Sequence, residues 1–176
     1  MNEFSLYIHI PFCISKCAYC DFFSIQCNKS IPDEYVNSVC NEILVRSKKV
    51  SQKKCKSVFI GGGTPSLLTF EQLEKIINSI KRNFDFRNGF EFTMEVNPDD
   101  ITKEFLNYIQ KAGVTRLSVG IQSLDENVLS FVKRRAGQKE NINALDLIKQ
   151  NWNGLLNIDL ISGLPLEKTQ SFQENL

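Results

Sequence analysis

Three cysteines fall within eight positions near the front of the chain, in the stretch IPFCISKCAYCDFF over residues 10–23. Cys13, Cys17 and Cys20 are spaced C-x-x-x-C-x-x-C. Three thiolates on one loop can hold an iron–sulfur cluster or a zinc ion. Structural zinc sites close with a fourth Cys or His, usually from a second knuckle. No second knuckle exists here, although His9 could serve as the fourth ligand. A four-iron cluster with three cysteine ligands leaves one iron open, and an open position is where a small molecule binds. The plain alternative, three unliganded thiols, is disfavoured by the tight spacing.

Other residues offer chemistry of their own. Gly61, Gly62 and Gly63 precede Thr64 and Pro65. This is neither a Walker loop nor G-x-G-x-x-G, so a phosphate site has little support. A glycine run does let a ligand approach the backbone closely and offers carbonyls to an ammonium group. Glu95 sits near the end of an alternating run, where an unpaired carboxylate inside a fold would be costly and a cationic or hydroxyl-bearing ligand would satisfy it. Lys133, Arg134 and Arg135 are expected to end a helix, where complementing the macrodipole accounts for two of them. His9 reads equally as a core-facing histidine or a ligand. Cys27, Cys40 and Cys55 are scattered. Cys40 shares a helical pattern with Val36, Val39, Ile43 and Leu44 and reads as a small core residue.

The elements that must position these groups alternate along the chain. Strands are expected at residues 5–10, 56–62, 91–97, 116–122 and 155–163. Helices are expected from about Pro32 to Lys49, from Thr69 with Gln72 as a capping box, and from about Thr102 to Lys111 with Gly113 as the stop. Ser123 with Glu126 should cap the next, and a last helix should start near Thr169. Repeated βα units mean a parallel sheet. Phe92, Met94 and Val96 alternate with Glu91, Thr93, Glu95 and Asn97, and Leu117, Val119 and Ile121 with Arg116, Ser118, Gly120 and Gln122. Tyr7 and His9 oppose Leu6, Ile8 and Ile10; Asn157 and Asp159 oppose Leu156, Ile158 and Leu160. An open sheet covered on both faces should read as nearly continuous apolar runs. One apolar and one polar face per strand fits a barrel with a polar interior better. A full barrel needs more units than five strands and an unfinished sixth. The chain is therefore expected to be one incomplete domain over residues 1–176, either the N-terminal part of a longer protein or a shortened version of one. Its sheet edge after the fifth strand should lie open, so that it holds a cluster poorly.

The 176 residues are 42% hydrophobic and 23% charged, with a formal net charge of +1. Nothing in that balance points to nucleic acid or an acidic membrane as a partner. No apolar run approaches the roughly 20 residues of a membrane span. Pro11, Lys16 and the cysteines interrupt the apolar start, so it is no signal peptide. A reducing cytoplasm is the default, and six cysteines then do not form a disulfide framework.

CISKCAYC resembles the signature of the radical S-adenosylmethionine (SAM) enzymes. YIHIPFC, GGGTPS, MEVNP, RLSVGIQS and NIDLISGLP are similar, in order and spacing, to the oxygen-independent coproporphyrinogen III oxidase-like proteins. The resemblance implies an α/β fold, a partial (β/α)6 TIM-like barrel here cut after its fifth strand. It implies a [4Fe-4S] cluster on Cys13, Cys17 and Cys20 whose fourth iron is chelated by SAM, and an electron donor such as reduced flavodoxin or ferredoxin. Reduction of the cluster then cleaves SAM to methionine and a 5′-deoxyadenosyl radical. By the same resemblance Gly62, Gly63 and Thr64 meet the methionyl amino group and Arg134 the carboxylate. Glu95 faces the cofactor, Gln122 and Asp159 lie near the ribose, Phe22 offers its backbone to the adenine, and Tyr7 is the aromatic residue beside the cluster. The oxidases carry a fourth cysteine, C-x-x-x-C-x-x-C-x-C, and a long segment before the cluster. Phe22 stands at that position here, and the cluster begins at residue 13. Both features match the haem chaperone branch, which binds haem and passes it to respiratory haem proteins. That branch tends to read R-x-H, where this chain has Arg134, Arg135 and Ala136. The decarboxylating oxidase is the second reading and a zinc-bound structural domain the third.

Overall fold

A computed structural model describes residues 3–27, 30–50 and 54–174. In chain order the elements are β1 (Phe4–Ile10), β2 (Phe12–Cys13), β3 (Ile25–Gln26), α1 (Asp33–Ser47), β4 (Lys54–Gly62), α2 (Phe70–Asn83) and β5 (Asp85–Val96). They continue as α3 (Lys103–Ala112), β6 (Arg116–Gln122), α4 (Glu126–Phe131), α5 (Gln138–Asn151), β7 (Leu155–Leu160) and α6 (Thr169–Glu174). Five strands form one sheet in the order β1-β4-β5-β6-β7, each parallel to its neighbour. Spatial order follows chain order with no reversal. A doubly wound sheet must reverse at a switch point, so the winding is that of a barrel segment.

The alternation along each strand becomes two faces. Ile8, Ile10, Val58, Ile60, Phe92, Met94, Leu117, Val119 and Ile121 are buried in one continuous core with α1, α2, α3 and α5. The opposite parity carries Glu95, Ser118, Gln122 and Asp159. Cover thins at β7, where Leu156 and Ile158 are each 42% exposed. Cys40 packs partly buried against the core as expected, whereas Leu44 on the same helix is exposed.

Local signals set most boundaries. Thr69 caps α2, accepting from the Gln72 N–H while the Gln72 side chain accepts from the Thr69 N–H. Gly113 ends α3 at φ 102°, a conformation that glycine adopts without strain. Four expectations need correcting. The third strand starts at Asp85 rather than Glu91, because Asp85 and Phe86 pair with Lys54 and Cys55 before residues 87–90 leave the register. The fifth strand stops at Leu160 rather than Gly163, which sits at φ 79° in a bend. Ser123 does not cap α4: its hydroxyl accepts from the Asp125 N–H, and Asp125 caps instead, accepting from Asn127 and Val128. The Glu126 carboxylate accepts from the Gln138 N–H at the start of α5, so one expected helix is two.

A Cβ on Gly113 would meet only Lys81 Nζ, at 3.8 Å. Gly113→Ala therefore isolates the backbone cost, and is expected to destabilise by about 1–2 kcal/mol. That lowers the melting temperature by about 2–8 °C, with Gly113→Asn falling between the two.

Candidate cofactor site at the carboxyl ends of the strands

The cysteine loop is pinched at its base. Phe12 and Cys13 pair with Ile25 and Gln26, the Ile25 N–H donates to Pro11 O at 2.6 Å, and the Cys27 N–H to Cys13 O at 2.8 Å. Farther out, the Ala18 N–H donates to Val132 O at 2.9 Å, fixing the loop to the end of α4. Across from it the Gly63 N–H donates to Ile10 O at 2.8 Å. A Cβ on Gly63 would come within 2.6 Å of Phe12 O and 2.9 Å of Cys13 Sγ, so only glycine lets the two loops meet.

Between them lies a cavity of about 310 Å³, within the usual size of small-molecule sites. It is lined by Cys13, Cys17, Cys20 and Phe22 from the loop, and by Gly62, Gly63 and Thr64 from the end of β4. Glu95, Gln122, Asp159 and Arg134 complete it. Tyr7 is not among its walls. It sits three residues before the end of β1, a layer below the cysteine loop, where its hydroxyl bonds His9 Nδ1 at 2.9 Å. Tyr7 and His9 line a separate cavity against α1.

Several wall residues escaped sequence reading. Asn97, Ser118 and Gly120 also line the cavity, and the polar parity that singles out Glu95 and Gln122 picks them out equally. Tyr19 lies between two cysteines in no periodic run and carried no signal. Its burial pushes the phenol well above its ordinary range, with Arg134 pulling down and Cys17 pushing up.

Arg134 is aimed inward by its neighbour, since Lys133 adopts φ 57° just past α4. Arg134 Nη2 donates to Asn97 Oδ1 at 2.8 Å and Gly120 O at 2.5 Å, and Nη1 reaches Cys17 Sγ at 3.7 Å. Helix-end charge does not account for Arg135, which pairs with Asp99 and Asp100 at 2.6 Å each. Glu95 Oε2 accepts from the Gly62 N–H at 2.9 Å. Asp159 accepts from Ser118 Oγ at 3.0 Å and from Asn157 Nδ2 at 2.7 Å.

The walls fit a charged polar ligand beside a metal cluster. Arg134 Nε and Asn97 Nδ2 are buried without a hydrogen-bond partner, and such donors normally find one. Among the described residues no group of three or more His, Cys, Asp or Glu side chains is arranged to hold a metal ion as it stands. The three thiols instead stand around one cavity.

The family model for the radical SAM superfamily matches residues 7–176. The chain belongs to the radical SAM superfamily. Membership implies SAM and a [4Fe-4S] cluster, for which the three thiols and the cavity supply a donor set and a space. The chain is 37% identical to the Heme chaperone HemW of Haemophilus influenzae, over 98% of the chain and 46% of that protein. It is 33% identical to the oxygen-independent coproporphyrinogen III oxidase of Synechocystis, over 98% of the chain and 37% of that protein. The solved coproporphyrinogen III oxidase HemN of Escherichia coli matches with a TM-score of 0.88 and 30% identity, over 97% of the chain and 40% of that structure. The partial-barrel expectation agrees with this radical SAM neighbour. The chain spans less than half the length of these relatives. Among the described residues no helix is long and apolar enough to cross a membrane.

Burial raises the Glu95 carboxyl above its ordinary range; the Gly62 N–H pulls it down, and Asp159 adds to the rise. A raised folded value means the proton linkage stabilises the fold at acid pH and is lost as pH rises through that value. In the cofactor-free chain, Glu95→Gln keeps an acceptor for the Gly62 N–H and removes the buried charge. It should therefore raise the melting temperature near neutral pH, and the difference should shrink on acidification.

Proposed function

We propose that the chain is the SAM-binding part of a haem chaperone, which binds haem and delivers it to respiratory haem proteins. The observation that carries this reading is Phe22. It stands where the oxidases have a further cysteine, and the residue is 73% exposed at the cavity rim. The similarity to HemW proteins supports the same choice. An oxygen-independent coproporphyrinogen III oxidase is the alternative, supported by the likeness to HemN.

In this reading Cys13, Cys17 and Cys20 hold the cluster. When bound, SAM and the cluster together supply one-electron cleavage of a sulfonium bond. The chain's own residues bind and orient. The backbone of Gly62 and Gly63 and the Thr64 hydroxyl take the methionyl ammonium, while Glu95 buttresses that loop through the Gly62 N–H. Arg134, its fork held by Asn97 and the Gly120 carbonyl, takes the carboxylate, a role its planar donors suit. Gln122 and Asp159 take the ribose hydroxyls, and the backbone at Phe22 the adenine. Tyr7 is the aromatic residue assigned to the cluster's side, one layer below the cysteine loop. Reduced flavodoxin or ferredoxin supplies the electron, and the protein works in the cytoplasm as one incomplete domain of a longer haem-handling chain.

The test is anaerobic incubation of a cluster-loaded, full-length version of the protein with coproporphyrinogen III, reductant and SAM, beside a haem titration. The expected outcome is a shifted Soret band with haem and no protoporphyrinogen IX. Formation of protoporphyrinogen IX would overturn the chaperone reading in favour of the oxidase.

A further inference from the structure

We propose that Asn141, on α5, is a positioning residue that holds Gln122 in a strained turn and so aims its side chain into the cofactor cavity. The inference rests on the reading of that cavity as the SAM site.

Gln122, the last residue of β6, has φ 69°. The Ser123 N–H donates to Ile121 O at 2.9 Å, closing a three-residue turn centred on Gln122. With positive φ at its centre this is the rare, strained form of the γ-turn. Glycine would adopt the conformation without strain, yet the chain keeps a side chain there. Residues held in such conformations persist only where their surroundings over-determine them, and they cluster at functional sites.

The surroundings here are specific. Asn141 is 1% exposed, and its Nδ2 donates to Ile121 O at 3.1 Å and Ser123 O at 2.9 Å. These two carbonyls flank Gln122. Both are acceptors, so only the amide nitrogen can face them, and the orientation of the Asn141 amide is fixed. Its Oδ1 is buried with no hydrogen-bond partner. An unpaired buried acceptor is destabilising, so a stability role alone does not favour asparagine at this position. The Gln122 carbonyl accepts from the Ile161 N–H at 3.0 Å, so its backbone is held on this side as well while the residue lines the cavity. That side chain lies over Gly120, where a Cβ would stand 2.9 Å from Gln122 Nε2. Gly120 opens the slot, the turn directs the amide into it, and Asn141 clamps the turn from behind without touching the cavity.

The test measures SAM affinity of the cluster-reconstituted full chain by equilibrium dialysis, with iron content recorded, in four forms: unaltered, Gln122→Ala, Asn141→Ala and the double variant. Asn141→Ala should weaken SAM binding about tenfold with iron content retained, and should add less than about twofold in the Gln122→Ala background. Unchanged affinity in Asn141→Ala, or a loss that adds in full to that of Gln122→Ala, would overturn the proposal. A second arm needs no cofactor and covers poor folding of the alanine variant. Asn141→Ser should lower the melting temperature of the cofactor-free chain, and lower it more in the Gln122→Gly background, where losing the clamp releases no strain to offset the lost hydrogen bonds. An equal drop in both backgrounds would overturn the clamp. Unchanged SAM affinity in Gln122→Ala would count against the cofactor reading itself, and the stability arm then decides on Asn141 alone.

Discussion

Side chains alternate along a β-strand, and in a parallel sheet with its apolar parity packed under helices that alternation sends every second residue to another face. Met94, Leu117 and Val119 are fully buried on one side, while Glu95, Ser118, Gln122 and Asp159 gather on the other. Because the strands run parallel in chain order, their carboxyl ends all open on the same rim, and the loops that follow them meet there. The cysteine loop after β1, the glycine loop after β4 and the arginine segment after α4 come together for that reason. A register slip of one residue in β5 or β6 would exchange core for cavity.

What the sheet cannot hold, charge and backbone hydrogen bonds hold instead. The segment between α4 and α5 has no regular structure, yet it carries Arg134 into the cavity. Arg135, 20% exposed at its side chain, ties that segment to Asp99 and Asp100. Ser66 Oγ donates to Asp100 at 2.6 Å and accepts from the Asn97 N–H at 3.1 Å. Asn97 in turn receives Arg134. Partly buried, charge-assisted pairs of this kind are stronger than exposed ones, and breaking one leaves a charge without its partner. The network joins the loops after β4 and β5 to the arginine segment.

The parts of this arrangement that depend on period and local chemistry were legible in the sequence. Strand parity named the polar face, Thr69 and Gln72 marked the start of α2, and Gly113 marked the end of α3. The parts that depend on distant partners were not. The β2–β3 pairing is two residues long and has no period to read. Asp125 outcompetes Ser123 as a cap because the chain is still turning after Gln122. Arg135 looked like a helix-end charge because its acidic partners lie some 35 residues away. Tyr7 shares the parity of the polar face, but parity alone does not give depth along the strand, and the layer it occupies follows from the parallel register with β4.

The central claim is that the three thiols and one cavity carrying Glu95, Arg134 and Asp159 form a single site that would hold a cluster together with SAM. The most direct measurement is electron paramagnetic resonance of the anaerobically reconstituted, reduced chain with and without SAM. The account predicts a [4Fe-4S] signal that changes on adding SAM, and a change lost in Arg134→Ala. A zinc-loaded, iron-free protein, or a cluster signal indifferent to SAM, would contradict it.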